Sequence, residues 1–215
     1  MLNIPAMVVG AAYGAAAKPL SDFLSKKLLK NRSKEFKDEK TSFLIQLILS
    51  ALLGGGIGAI CGFTWMSLFL AALLFCGDVI STTDLQYRII PNDMVLTLLG
   101  IKLLFGIPAL FKVGGFPAWS PLLSLAGLAV LGVIFFLPSI FGGSIGFGDV
   151  KLAMAIGFCS ELMPSLMAVA LMGMLVLAVG TIQRKTSFGV FLKTQVPMGP
   201  FLCAAQVIAL LMYQV

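Results

Sequence analysis

Histidine is absent from this 215-residue chain, and acidic residues number only nine. The first absence removes imidazole acid–base catalysis and imidazole metal ligation. The four cysteines, Cys61, Cys76, Cys159 and Cys203, stand far apart inside apolar stretches. That spacing argues against a disulfide framework and against a tetrahedral zinc site, which would want C-x-x-C pairs. Charge of either sign is scarce: charged residues make up 11% of the chain against 59% apolar ones. Chemistry in such a chain falls to carboxylates, hydroxyls and lysine. Neither a metal nor a nucleic-acid partner is expected.

What the chain has in abundance is hydrophobic length. Its mean hydropathy is +1.04, and apolar runs of about 17–25 residues are long enough to span a bilayer core. The expected fold is all-α: a polytopic membrane helix bundle of about eight transmembrane helices, forming one membrane domain over residues 1–215. The first apolar segment covers about Leu2 to Ala17 and continues amphipathically toward Leu29. With no basic start before Ile4-Pro5 and no convincing A-x-A site, it reads as a retained membrane helix. Seven more segments follow, at about 42–60, 63–82, 94–111, 121–139, 149–163, 164–182 and 197–214. Gly54-Gly55-Gly56 points to close helix approach, because small residues let membrane helices pack backbone to backbone. Glu161 and Pro164 mark the turn between the sixth and seventh segments.

The one long polar run, residues 18–40, holds eight of the fifteen Lys and Arg residues. It reads as a short basic cytoplasmic loop, a topology signal that also attracts anionic lipids. Placing it in the cytoplasm puts the N-terminus outside, and eight crossings then make the loops near 83–93, 140–149 and 183–196 cytoplasmic. Thirteen basic residues fall inside on this count, leaving only Lys102 and Lys112. The same count brings Asp84 and Asp149 to one membrane face.

A carboxylate beside lipid is costly unless a cavity, a partner or a reaction keeps it there. Four of the nine acids (Asp22, Glu35, Asp38, Glu39) sit in or beside the basic run, and Asp93 and Glu161 read as solvated loop acids. Asp84 and Asp149 end hydrophobic segments. They could cap helices or pair with Arg88 or Lys151. They could also share one proton and hydrolyse a peptide bond, since like charges within a few ångströms cannot both ionise. Gly146 and Gly148 would give the second aspartate unusual backbone freedom and let a substrate strand approach. Pro91 would end the Asp84 segment rigidly and keep the preceding residue extended. Lys151 is either a snorkelling interfacial lysine or a substrate contact. Asp78, about a turn and a half before Asp84, falls on a different helix face; it could line the same cavity, tune the pair, or bond a neighbouring helix through Ser81 or Thr82.

These motifs carry a resemblance. The stretch from Asp84 through Pro91-Asn92 has the form D-x6-P, and Gly146-Phe147-Gly148-Asp149-Val150-Lys151 the form G-x-G-D-x-K. Together they resemble the signature of the type IV prepilin peptidase family, membrane aspartic proteases of the GxGD class. Val196-Pro197-Met198-Gly199-Pro200-Phe201 is similar to the family's last-helix entry, so the likeness covers residues 70–205. It implies cleavage of the leader from prepilin or pseudopilin precursors at the cytoplasmic face of a prokaryotic inner membrane, just before the substrate's hydrophobic helix. It carries Asp84 and Asp149 over as the catalytic pair, with Gly146, Gly148, Lys151, Asp78 and Pro91 as supporting or substrate-binding candidates. Many members also bear an N-terminal insertion with two C-x-x-C zinc pairs and methylate the product with S-adenosylmethionine. Here only the short run 18–40 stands in that place, so a peptidase without N-methyltransferase activity is expected, and proteolysis requires no cofactor. The rival expectations are a proton-coupled transporter relaying through Asp78, Asp84 and Asp149, and an inactive assembly scaffold. No internal repeat of the transporter kind is evident.

Overall fold

A computed structural model describes residues 3–37, 40–111, 119–140, 146–182 and 197–214. Lys112, Gly143–Ile145, Arg184, Lys185, Lys193 and Val196 lie outside the described residues, as do Asp38 and Glu39. The described chain contains eight helices: α1 (Ile4–Lys30), α2 (Lys40–Cys61), α3 (Trp65–Tyr87), α4 (Asn92–Leu110), α5 (Pro121–Ile140), α6 (Phe147–Ser160), α7 (Leu162–Ile182) and α8 (Gly199–Tyr213). The count agrees with the eight apolar segments. Five of the helices, α2 to α5 and α7, are long and apolar enough to cross a membrane. At 14 and 15 residues, α6 and α8 extend only about 21–23 Å, short of the ~30 Å hydrocarbon core.

The loop expected over residues 18–40 is shortened, and helix α1 continues toward Leu29 as expected. Its first turn is closed by the Asn3 side chain, which accepts from the Ala6 N–H, with Pro5 just inside. From there it runs unbroken for 27 residues to Lys30, so the first half of the basic run is helix. Asn31 and the residues up to Lys37 form the non-helical connection.

Backbone contact joins α1 to α2. A Cβ on Gly54 would stand 2.3 Å from the Gly10 carbonyl oxygen, one on Gly14 2.0 Å from the Ser50 oxygen, and one on Gly58 1.9 Å from the Ala6 oxygen. Only hydrogens fit there, as expected of small-residue packing in lipid. Gly54→Val is therefore expected to force the two helices apart and cost about 3 kcal/mol. A fall in the thermal midpoint of the detergent-solubilised protein would register it; an unchanged midpoint would contradict the packing.

Helix α3 is the spine. It starts with a capping box between Thr64 and Ser67 and touches α1, α2, α4 and α8. Of its apolar span 61% is buried inside the protein, against 17% for α7. Leu70, Val79, Ile80, Leu131, Leu152, Ile156 and Leu202 form the enclosed core. Outward faces carry exposed apolar side chains such as Leu52, Leu104, Leu122 and Met174, as a surface facing lipid requires.

Glu161 is not a solvated loop acid. Its Oε1 accepts from Lys102 Nζ at 3.2 Å and from the Ser120 N–H at 3.3 Å. Lys102 is only 7% exposed and lies over the Phe69 and Trp119 rings. A lysine enclosed in an apolar helix demands an opposite charge, and Glu161, at the end of α6 with φ +64°, supplies it. Asp93, by contrast, is exposed in the first turn of α4.

Candidate active site

Three helix ends meet around Asp84 and Asp149. Asp84 belongs to the last turn of α3 and is only 4% exposed. Its carbonyl oxygen accepts from the Arg88 N–H at 2.8 Å. Arg88 closes the helix in the left-handed region, φ +54°, a cap conformation that usually falls to glycine. The chain then runs through Ile89 and Ile90 to the buried Pro91, the N-cap of α4 with φ −67°. This short connection is where the sequence led us to expect a rigid stop.

Asp149 occupies the first turn of α6 and is half-buried. Its Oδ2 reaches back to accept from the Gly146 N–H at 3.2 Å, while its own N–H donates to the Gly146 carbonyl at 3.0 Å. A carboxylate in a first turn also meets the positive end of the helix dipole. Gly148 rests on Ile90, whose Cβ lies 3.4 Å from where a Gly148 Cβ would stand. The α6 start is thereby seated on the connection that follows Asp84.

One expectation about the glycines needs correcting. Gly146 has φ −74° and ψ 148°, ordinary extended backbone open to any residue, and Gly148 is helical without a positive φ. A Cβ at Gly146 would stand 3.4 Å from the Asp149 carboxylate, an ordinary van der Waals contact.

At the third helix end, Gly199 was not among the site residues expected from the sequence. Gly199, the first residue of α8, donates its backbone N–H to Asp84 Oδ2 at 2.9 Å. A Cβ at Gly199 would stand 2.9 Å from that oxygen and 3.1 Å from the Asp84 Cβ. The segment Pro197-Met198-Gly199-Pro200 was visible as a proline- and glycine-rich helix entry, but its meeting with a residue 115 positions earlier is not written in local pattern. Each aspartate is thus held by one glycine N–H. The Asp149 and Arg88 charges both lie near enough to act on the Asp84 carboxyl.

The remaining candidates fall elsewhere. Lys151 is exposed on α6. Asp78 belongs to a different buried polar cluster. Its Oδ1 accepts from the Ser50 hydroxyl of α2 at 2.6 Å. Lys18 of α1, 1% exposed, is bonded to Asp22 and donates to Thr82 Oγ1 at 2.9 Å. Thr82 in turn donates to the Asp78 carbonyl and meets Gln46. Asp78 therefore does bond a neighbouring helix, through Ser50 rather than through Ser81 or Thr82. Its Oδ2 makes no hydrogen bond among the described residues, and a cavity of about 60 Å³ beside it is bounded on α8 by Pro200 and Cys203. Among the described residues no group of three or more acids or thiols is placed to hold a metal ion.

No curated protein and no solved structure matches the chain. The model of the type IV leader peptidase family matches residues 68–181, just over half the chain, with both aspartates inside the match and Gly199 beyond it. The protein is a multi-span helical membrane protein, and it belongs to the type IV leader peptidase family.

Proposed function

We propose that this protein is a membrane aspartic endopeptidase that removes the leader from type IV prepilin or pseudopilin precursors, with Asp84 and Asp149 as its catalytic pair. The observation that carries the reading is the convergence of the two family-motif acids at one end of the bundle, each held by a glycine N–H. Family membership supports the substrate class: precursors with a short leader ahead of a hydrophobic helix. The substrate helix would stay in lipid and present its leader laterally at the cytoplasmic face of a prokaryotic inner membrane. The lopsided distribution of basic residues supports that orientation, with the N-terminus outside.

In the proposed reaction one carboxyl of the pair is ionised and the other carries the proton. The ionised member takes a proton from water as the water oxygen attacks the scissile carbonyl. The neutral member gives its proton to the carbonyl oxygen. When the tetrahedral diol collapses, the C–N bond breaks and the protonated carboxyl gives its proton to the leaving amine. The ionised one takes a proton from a diol hydroxyl, which restores the singly protonated pair. A substrate backbone would pass beside Gly146 at the exposed start of α6, and exposed Lys151 would meet it there. Nothing in this sequence of steps calls for a cofactor, and S-adenosylmethionine enters only if the new N-terminus is also methylated.

A pair sharing one proton works only while singly protonated. The rate of precursor cleavage is therefore expected to trace a bell against pH, falling on the acid side as both carboxyls protonate and on the alkaline side as both ionise. Because two coupled groups titrate as a unit, each limb belongs to the pair. A profile with only one limb across the range where the protein stays folded would contradict the shared-proton mechanism. The transporter reading draws on Asp78 as a relay partner; the family match, which contains all three acids, speaks for the peptidase instead.

A further inference from the structure

A cavity of about 450 Å³ lies apart from the aspartate pair, between the second half of α1, the segment after it, the start of α2 and the end of α3. That size suits a small-molecule or headgroup site. Lys37 and Lys40 stand exposed at its rim, Phe36 and Phe43 form part of its wall, and Gln46 and Thr82 are polar groups deeper in. Lys18 also lines it, but its charge is answered by Asp22. Lys37 and Lys40 have no carboxylate partner among the described residues.

The wall is a built one. The Lys37 N–H donates to Gln86 Oε1 at 3.2 Å, and Gln86 Nε2 donates to the Lys37 carbonyl at 3.0 Å. The Tyr87 hydroxyl bonds the Glu35 carbonyl, and Lys34 and Lys37 both lie over the Tyr87 ring. The basic segment is thereby strapped across the end of α3, and α2 begins at the cavity's edge, bringing the partial positive charge of a helix start. Below the mouth, α2 presents an apolar stripe: Leu44, Ile48 and Leu52 are 54%, 55% and 67% exposed, one helical turn apart.

We infer that this cavity binds the headgroup of an anionic phospholipid, its phosphate between Lys37 and Lys40 and its acyl chains along Leu44, Ile48 and Leu52. The cationic rim selects charge, and the apolar stripe distinguishes a lipid from a free phosphate. Thr82 and Leu85, which line the cavity, flank Asp84 on α3, so a bound headgroup steadies the helix end that carries this acid. The effect on cleavage rests on the peptidase reading; the binding itself does not.

Native mass spectrometry of the solubilised protein, offered phosphatidylglycerol and phosphatidylcholine at equal concentration, tests the site. Phosphatidylglycerol is expected to be retained in preference. K37Q/K40Q is expected to weaken its retention about 25-fold, from a factor of about 5 per lysine. K26Q/K27Q, an equal charge loss on exposed residues of α1, is expected to leave retention unchanged. In vesicles, adding phosphatidylglycerol to phosphatidylcholine is expected to raise the cleavage rate of the native protein but not of K37Q/K40Q. Equal retention of both lipids overturns the proposal. So does undiminished retention by K37Q/K40Q, equal loss in K26Q/K27Q, or displacement of the lipid by inorganic phosphate at the same concentration. Selective lipid retention without cleavage of any precursor would uphold the lipid site and sink the peptidase reading.

Discussion

Asp84→Asn and Asp149→Asn are each expected to lower the cleavage rate about 10³-fold or more while leaving the bundle folded. Asparagine keeps the size of the side chain and an oxygen to accept from Gly199 or Gly146, so the glycine N–H bonds at 2.9 and 3.2 Å survive. What disappears is a group able to give and take a proton. If the proposed precursor is bound mainly through its apolar helix, the loss should fall on kcat, with substrate binding nearly unchanged. Because the two acids act as one device, the double variant should be hardly slower than either single one. Retained processing in either single variant, with the thermal midpoint of the native protein, would rule out the pair as the catalytic centre.

Gly199→Ala is expected to be the most damaging substitution outside the two acids. The added methyl would meet Asp84 at Oδ2, Cγ and Cβ, at 2.9, 3.2 and 3.1 Å. Rotating the carboxylate away relieves only the first two contacts, so either α8 backs off or Asp84 shifts as a whole. A displacement of even about 1 Å in a catalytic group can cost on the order of 100-fold in rate, and we expect a fall of that size in kcat. Since α8 also packs on α7, a modest drop in stability should accompany it. The distinguishing result is the ratio: stability reduced slightly and turnover by about two orders of magnitude. Equal activity in the alanine variant would mean that the Gly199 N–H does not set the Asp84 position.

The parts of this protein legible in its sequence are those written in local pattern. Hydropathy located eight helices because each apolar run is bounded by charge, glycine or proline, and the motif spacing picked out the two acids that the fold brings together. The loop over residues 18–40 was read too long because Lys18 and the residues after it look like a loop when only composition is weighed. In the fold Lys18 is buried against Asp22 and Thr82, a pairing between different segments that no local window reveals. Glu161 was misread for the same reason, its partner Lys102 lying 59 residues away. Gly146 was credited with conformational freedom it does not use, because the φ a glycine adopts is not written in the sequence around it. Gly199 shows the remaining gap: a hydrogen bond to Asp84 depends on where α8 docks, which is decided by tertiary packing around Gly77 and Cys203.

The most direct measurement is to incubate the purified protein, in membrane vesicles, with prepilin and pseudopilin precursors and to weigh the products. The account predicts two fragments, cut between the leader and the hydrophobic helix, with the mature fragment at its unmethylated mass and no cleavage by the Asp149→Asn variant. Intact precursors with a folded native protein, or the same fragments from the Asp149→Asn variant, would contradict it.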